Sequence, residues 1–191
     1  TLAFDILSPL FVIFVTTANV QNEREKNMTY GEKITSDERF NRTGLDLLAR
    51  MIYVEAEGES EMGKRAVACV ARNRKDHKKA SKFGGTTYKD VILMGAQEDP
   101  PRLQFSSVGT AKFLQPDLNS TAWKDSLNIA LNMDTVVNPI SACLWFCTND
   151  VYSKNSKIEN GIEKYSFGGN YEQVTEKKIL GGHTFFRVIN Y

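Results

Sequence analysis

From Gly44 onward apolar side chains recur at spacings of three and four, at Leu45, Leu48, Met51 and Ile52, and Glu55 continues the same stripe. This is the pattern of an amphipathic helix of about four turns. Thr43 is placed to cap its start and Gly58 to stop it. Ser60 then caps a second helix from Glu61 to about Arg74, with Met62, Ala66, Val67, Cys69 and Val70 on its buried side and small Ala66 and Ala68 allowing close approach. Thr86 and Thr87 precede a short third helix that begins at Tyr88. Ser120 or Thr121 starts a fourth, with Trp123, Leu127, Ala130 and Leu131 inward, and Asn138-Pro139 marks the turn after it. Between them, residues 72–85 are basic and end in a glycine pair, which predicts a solvated helix end and a loop. Residues 97–113 are rich in turn formers, and Pro100 and Pro101 forbid helix or central strand, so an exposed, shaped loop is expected there. Strand-like runs come late, at 141–147 and 183–189, and Gly181-Gly182 predicts a hairpin return from 177–180. Helices first and a small antiparallel sheet late give an α+β fold dominated by helices.

Two N-terminal segments stand apart from this domain, which is expected to run over 44–191. Residues 1–20 contain the apolar stretch Ile6 to Val15, long enough for the core of a secretion signal and too short to span a bilayer. No Lys or Arg precedes it, Asp5 does, and Pro9 interrupts it. It reads as a signal or its remnant, as an arm docked on its own domain or on a partner chain, or as a membrane anchor. Residues 21–43 are polar and mixed in charge, which predicts a linker or a surface wrap.

The composition narrows the function. In 191 residues, 41% hydrophobic and 10% aromatic side chains supply a real core and exclude disordered or fibrous classes. With 24 basic and 23 acidic residues the net charge is +1, so no global field draws the protein to nucleic acid, and the basic run 72–82 reads as a solvated face. Cys143 and Cys147, four apart on a strand, would lie about 13 Å from each other, too far for a disulfide. A zinc site would need these two cysteines to converge with His77 and His183 without any tight ligand spacing. No phosphate-binding glycine loop or nucleophile-elbow serine is present.

Glu55 is the side chain out of place. A carboxyl group on a core-facing stripe loses hydration, and in the last helical turn it faces the negative end of the macrodipole. Both effects favour the protonated acid, as do Glu57 and Glu59 nearby, and a protonated carboxylic acid is what general-acid catalysis of glycoside cleavage requires. The structural alternative is a helix-end glutamate that reaches water or pairs with Arg50 or Arg72.

The stretch from Leu47 to Arg74 resembles the signature of the SleB/CwlJ-type cell-wall hydrolases, the spore cortex-lytic family. Later blocks fit in the same order: Tyr88 to Ile92, Gln104 to Val108, Trp123 with Ser126 and Ala130, Ser141-Ala142 leading into an aromatic strand, and Gly182 to Arg187. The resemblance spans about residues 45–187. It implies a lysozyme-like fold related to lytic transglycosylases, with a glycan groove between a helical lobe and a smaller β-containing lobe. It implies Glu55 as the catalytic acid, the first glutamate of a Glu-Ala-x-Gly-Glu motif. Two positions depart from the pattern: Glu57 stands where relatives commonly carry Arg, and Ser60 where Pro often follows.

Cleavage between N-acetylmuramic acid and N-acetylglucosamine needs a proton on the bridging oxygen and a group that captures the oxocarbenium-like carbon. Hydrolysis needs a second carboxylate. Transglycosylation does not, because the muramic C6 hydroxyl attacks internally and one glutamate serves as acid and then base. Glu59 is the obvious second carboxylate, but a turn at Gly58 would take it off the helix, and holding that turn is its expected role. Transglycosylation to 1,6-anhydromuramic ends is therefore the favoured expectation. Muramidase-type hydrolysis and a non-catalytic glycan-binding or assembly module are the alternatives. Tyr53, Tyr88, Gln104, Ser106 and Ser107 are candidate sugar contacts, each equally readable as a core or loop residue. His183 is either a substrate contact or a hydrogen-bonded structural histidine. The expected partner is peptidoglycan, with no cofactor, no nucleic acid and no membrane span. The expected setting is outside the cytoplasm at the cell wall, in a secreted bacterial enzyme or a phage virion.

Overall fold

The computed structural model describes residues 29–191, so the expectations for residues 1–20 and the start of the 21–43 segment fall outside the described residues. Gly31–Tyr191 form one compact unit. Its first long helix, α1 (Gly44–Glu55), starts where expected, with the Thr43 hydroxyl accepting the Asp46 N–H at 3.2 Å. It is not a striped surface helix. Asp46 to Tyr53 are all buried, because α1 runs through the middle of the helical lobe.

Two of those buried residues are charged, and they explain where the unit begins. Asp46 accepts from Arg50 Nε at 2.8 Å, from Arg42 Nε at 2.7 Å and from the Gly31 N–H at 2.8 Å. Arg50 spends its remaining donors on the carbonyls of Glu32, Phe113 and Leu114. Ile34 is buried, and its N–H donates to Leu114 O at 3.0 Å. Residues 31–43 therefore wrap the lobe and belong to the same compact unit as the residues after Gly44. Backbone and ionic contacts hold the wrap, so it carries little apolar pattern.

Helix α2 (Glu61–Lys75) starts at Ser60, whose hydroxyl accepts the Gly63 N–H. It buries Ala66 through Ala71, whereas Met62, expected in the core, is half exposed. Two short helices follow, α3 (Tyr88–Ile92), closed by a capping box between Thr87 and Asp90, and α4 (Ala111–Leu114). Helix α5 (Thr121–Leu131) turns Trp123, Ser126, Ile129 and Ala130 inward, while Leu131 is exposed. Ser126 tolerates that place because its hydroxyl donates to Ala122 O within the helix.

Two expectations about loops are corrected. In the basic segment 72–85, Arg74, Ala80 and Phe83 are buried; in the loop 97–110, so are Phe105, Ser107 and Val108. Both segments lay an aromatic side chain into the interior between polar neighbours.

The sheet is larger than its two legible strands. Strand β1 (Trp145–Thr148) is followed by helix α6 (Asn149–Asn155) and by strands β2 (Ser156–Glu159), β3 (Ile162–Phe167), β4 (Asn170–Leu180) and β5 (His183–Val188). All neighbours are antiparallel, in the order β1-β5-β4-β3-β2. The expected hairpin is present, with Leu180 opposite His183 across Gly181-Gly182. Tyr152, Tyr165, Phe186 and Val188 form the core of this lobe. The architecture is α+β, as the sequence pattern implies.

Candidate active site

Helix α1 ends at Glu55. Ala56 leaves helical geometry (φ −134°, ψ 27°) while its N–H still donates to Ile52 O, so the chain turns two residues before Gly58, the expected stop. Three carboxylates follow at alternate positions, and each meets a different partner. Glu55 is half-buried and its Oε1 accepts the Ser107 N–H at 3.0 Å. Glu57 is exposed and ion-paired with Lys112 of α4. Where relatives are expected to carry a cation, this chain has the anion and draws its cation from α4.

Glu59 reaches across to the sheet lobe. Its side chain is 15% exposed, its Oε1 accepts the Gly182 N–H at 3.1 Å, and His183 Nδ1 lies 3.1 Å from the same oxygen. A Cβ on Gly181, whose φ is +57°, would collide with Glu59 Oε2, so the tip of the β4–β5 hairpin fits closely around this carboxylate. His183 also sits edge-on to Phe146, ring centroids 5.6 Å apart, and Phe146 lies 6.4 Å from Phe105. Glu59 and the aromatic rings thus fix the hairpin tip against the segment that supplies Ser107.

Arg74, which no sequence expectation singled out, stands over Phe105 in the turn that supplies Ser107. It is 4% exposed, its Nε donates to Leu144 O at 2.8 Å and its Cζ lies 4.9 Å over the Phe105 ring. Burial lowers its guanidinium to about 10, while the charge of Glu55 acts in the opposite direction. Its Nη1 and the Ser107 Oγ are both buried without a hydrogen-bond partner among the described residues. The spacing did carry a signal: Arg74 follows Val67 and Val70 at intervals of three and four, on the buried stripe of α2. The carboxylate that desolvation and the helix dipole single out in the sequence is met in the fold by a backbone donor, the Ser107 N–H.

The other candidate residues divide. Ser107 is at the site, and Gln104 and Ser106 are exposed next to it in the same turn. His183 is placed beside Glu59. Tyr53 is 2% exposed, with its ring edge-on to Trp123 and its hydroxyl accepting from the Asp117 N–H, so it offers no face to a sugar. Tyr88 packs beside Gly44 at the opposite end of α1, about 16 Å along the axis from Glu55. Its hydroxyl is pushed up to about 12 by burial, and Lys75 Nζ covers its ring at 5.1 Å.

Among the described residues no three His, Cys, Asp or Glu side chains converge to hold a metal ion, and no helix is long and apolar enough to cross a membrane. The cysteines are free thiols.

The chain is similar to two solved structures. The catalytic domain of the germination-specific lytic transglycosylase SleB from Bacillus anthracis is 21% identical, over 75% of this chain and 93% of that one, with a TM-score of 0.46. The catalytic domain of the Bacillus cereus SleB protein is 18% identical, over 84% of this chain and 98% of that one, with a TM-score of 0.43. No curated protein matches in sequence. The family model described as Cell Wall Hydrolase matches residues 58–186, starting just beyond Glu55 and taking in Glu59, Arg74, Ser107 and His183. That match covers well over half of the chain, which belongs to the cell wall hydrolase family and is a peptidoglycan-degrading enzyme acting on the cell wall.

Proposed function

We propose that the enzyme cleaves glycan strands between N-acetylmuramic acid and N-acetylglucosamine by lytic transglycosylation, with Glu55 as acid and then base. The observation that carries this reading is the different commitment of the three carboxylates. Glu57 is exposed and ion-paired with Lys112, Glu59 is committed to Gly182 and His183, and Glu55, half-buried, takes one hydrogen bond on Oε1, which leaves Oε2 for a substrate. The Ser107 N–H fixes Oε1 and so aims Oε2.

In the proposed step the protonated Oε2 gives its proton to the bridging oxygen and the muramic C1–O bond breaks. The C6 hydroxyl oxygen then bonds to C1, and its proton returns to the Glu55 carboxylate, so the enzyme ends as it began. No second carboxylate and no cofactor enter. Exposed Gln104 and Ser106, flanking the buried Phe105, are the proposed polar contacts for the sugar.

Product masses test the route. Muropeptides released from purified sacculi should carry 1,6-anhydro ends, one water lighter than hydrolysis products. Reducing muramic ends as the sole product would replace this reading with hydrolysis assisted by a second carboxylate.

A further inference from the structure

Two contacts bracket Glu55 along the chain and tie the end of α1 to one stretch of surface. Two residues before it, the Tyr53 hydroxyl accepts the Asp117 N–H at 3.4 Å; two residues after it, Glu57 pairs with Lys112. Lys112 and Asp117 both line a surface depression of about 610 Å³ between α4 and α5, formed by residues 111–119. Its rim also carries Gln115 and Asn119, both exposed. Thr110, which caps α4, donates its hydroxyl to Ser107 O at 2.8 Å, so the depression is joined to the turn that orients the acid. Two peptide units span at most about 8 Å, which keeps the Glu57–Lys112 pair close to Glu55.

Stability does not account for that pair. The Lys112 and Glu57 side chains are 40% and 45% exposed, and ion pairs in such a setting contribute at most about 1 kcal/mol. Both groups keep binding capacity. Lys112 has three donors and spends one on Glu57, with its Nζ 5.2 Å over the Tyr53 ring, and the pairing uses one oxygen of Glu57, which leaves the other for a ligand. The chemistry of the substrate says what a site of mixed charge meets beside this acid. Sugar hydroxyls and acetamides are neutral. The charges of a peptidoglycan strand sit on its peptide stems, which present free carboxylates and the ammonium of a diamino residue. A stem leaves the muramic ring at C3, two carbons from the C1–O bond that breaks.

We propose that Glu57, Lys112 and the depression at 111–119 form a subsite for the peptide stem of the muramic residue under attack, Lys112 facing a stem carboxylate and Glu57 the stem ammonium. This rests on the reading of Glu55 as the acid acting at muramic C1 and extends it to the substrate's peptide. Gln115 and Asn119 supply amides for the peptide backbone. The enzyme is thereby selective for strands that carry stems.

The test compares soluble, uncross-linked glycan strands with the same strands stripped of their stems by an amidase. With the wild type, the half-saturating concentration should be about fivefold higher for stripped than for intact strands, the size of one exposed charged contact. In Lys112→Ala this ratio should fall to about one. A wild-type ratio of about one overturns the proposal, because no stem is recognised. A ratio that Lys112→Ala leaves at the wild-type value overturns it equally, because the pair is then an ordinary surface ion pair. Lys112→Ala should unfold within about 4 °C of the wild type; should it fail to fold, Glu57→Gln carries the same comparison, and its ratio should fall likewise. Failure of the acid assignment reads out separately. Calorimetric titration of Glu55→Gln with intact and stripped strands gives the affinity ratio without turnover. If instead Glu55→Gln keeps full turnover, the reading of Glu55 as the acid fails, while the kinetic ratios of the wild type and Lys112→Ala still decide the stem subsite.

Discussion

Replacing Glu59 separates the two roles a second carboxylate could have. Its Oε1 takes the Gly182 N–H at 3.1 Å and faces His183 Nδ1 at 3.1 Å, and the side chain is 15% exposed. A hydrogen bond to a charged acceptor contributes about 1.5–3 kcal/mol and a neutral one about 0.5–1.5 kcal/mol. Glu59→Gln keeps a carbonyl oxygen where Oε1 stands, so it should cost about 1 kcal/mol. Glu59→Ala frees the hairpin tip and should cost about 2–3 kcal/mol. For a unit spanning residues 31–191 these figures correspond to Tm decreases of about 2–4 °C and about 4–12 °C. Thermal unfolding read by circular dichroism gives the Tm, and turnover of sacculi well below it gives the rate. Glu59→Gln should keep activity within about tenfold, and Glu59→Ala should lose more because Phe146 and the Ser107 segment lose their fixed neighbour. A Glu59→Gln protein of wild-type Tm that has lost activity by about 100-fold or more would refute the structural role, since general-base effects have that size.

Other substitutions test the scaffold. Gly181→Ala should lower the Tm, because it forces Ala to φ +57° at a cost of about 1 kcal/mol and drives its Cβ into Glu59 Oε2; pairing it with Glu59→Ala should recover part of the loss. Asp46→Asn leaves Arg50 buried and short of its counter-charge, so urea unfolding should show a loss of about 3–5 kcal/mol. Burial pushes the Cys69 and Cys143 thiols up to about 11 and about 12. The thiolate is the reactive form, so a disulfide reagent at about pH 8 should label both slowly in the native protein and rapidly once it is unfolded.

What could be read in advance follows from locality. Thr43, Ser60, Thr87 and Ser120 sit directly before helical periodicity, and all four cap as expected. Glu55 stands out in the sequence because it places a carboxylate on an apolar stripe at a helix end. Strands β2 and β3 were missed because Lys157, Glu159, Glu163 and Lys164 interrupt their apolar residues, although Asn160-Gly161 between them, both with positive φ, is a strong hairpin signal. Arg74 was hidden in a run of basic residues, of which only Lys78 and Lys82 are exposed. Glu59 was expected to hold its own turn; it holds one about 120 residues away, and no local pattern records a partner at that distance.

The most direct measurement is the turnover of purified sacculi by Glu55→Gln, with its fold confirmed by circular dichroism, against the wild type at the same pH. Activity should fall by about 100-fold to 10,000-fold, because the amide keeps the Ser107 contact but has no acidic proton to give. A folded Glu55→Gln protein that releases muropeptides at the wild-type rate would contradict that expectation.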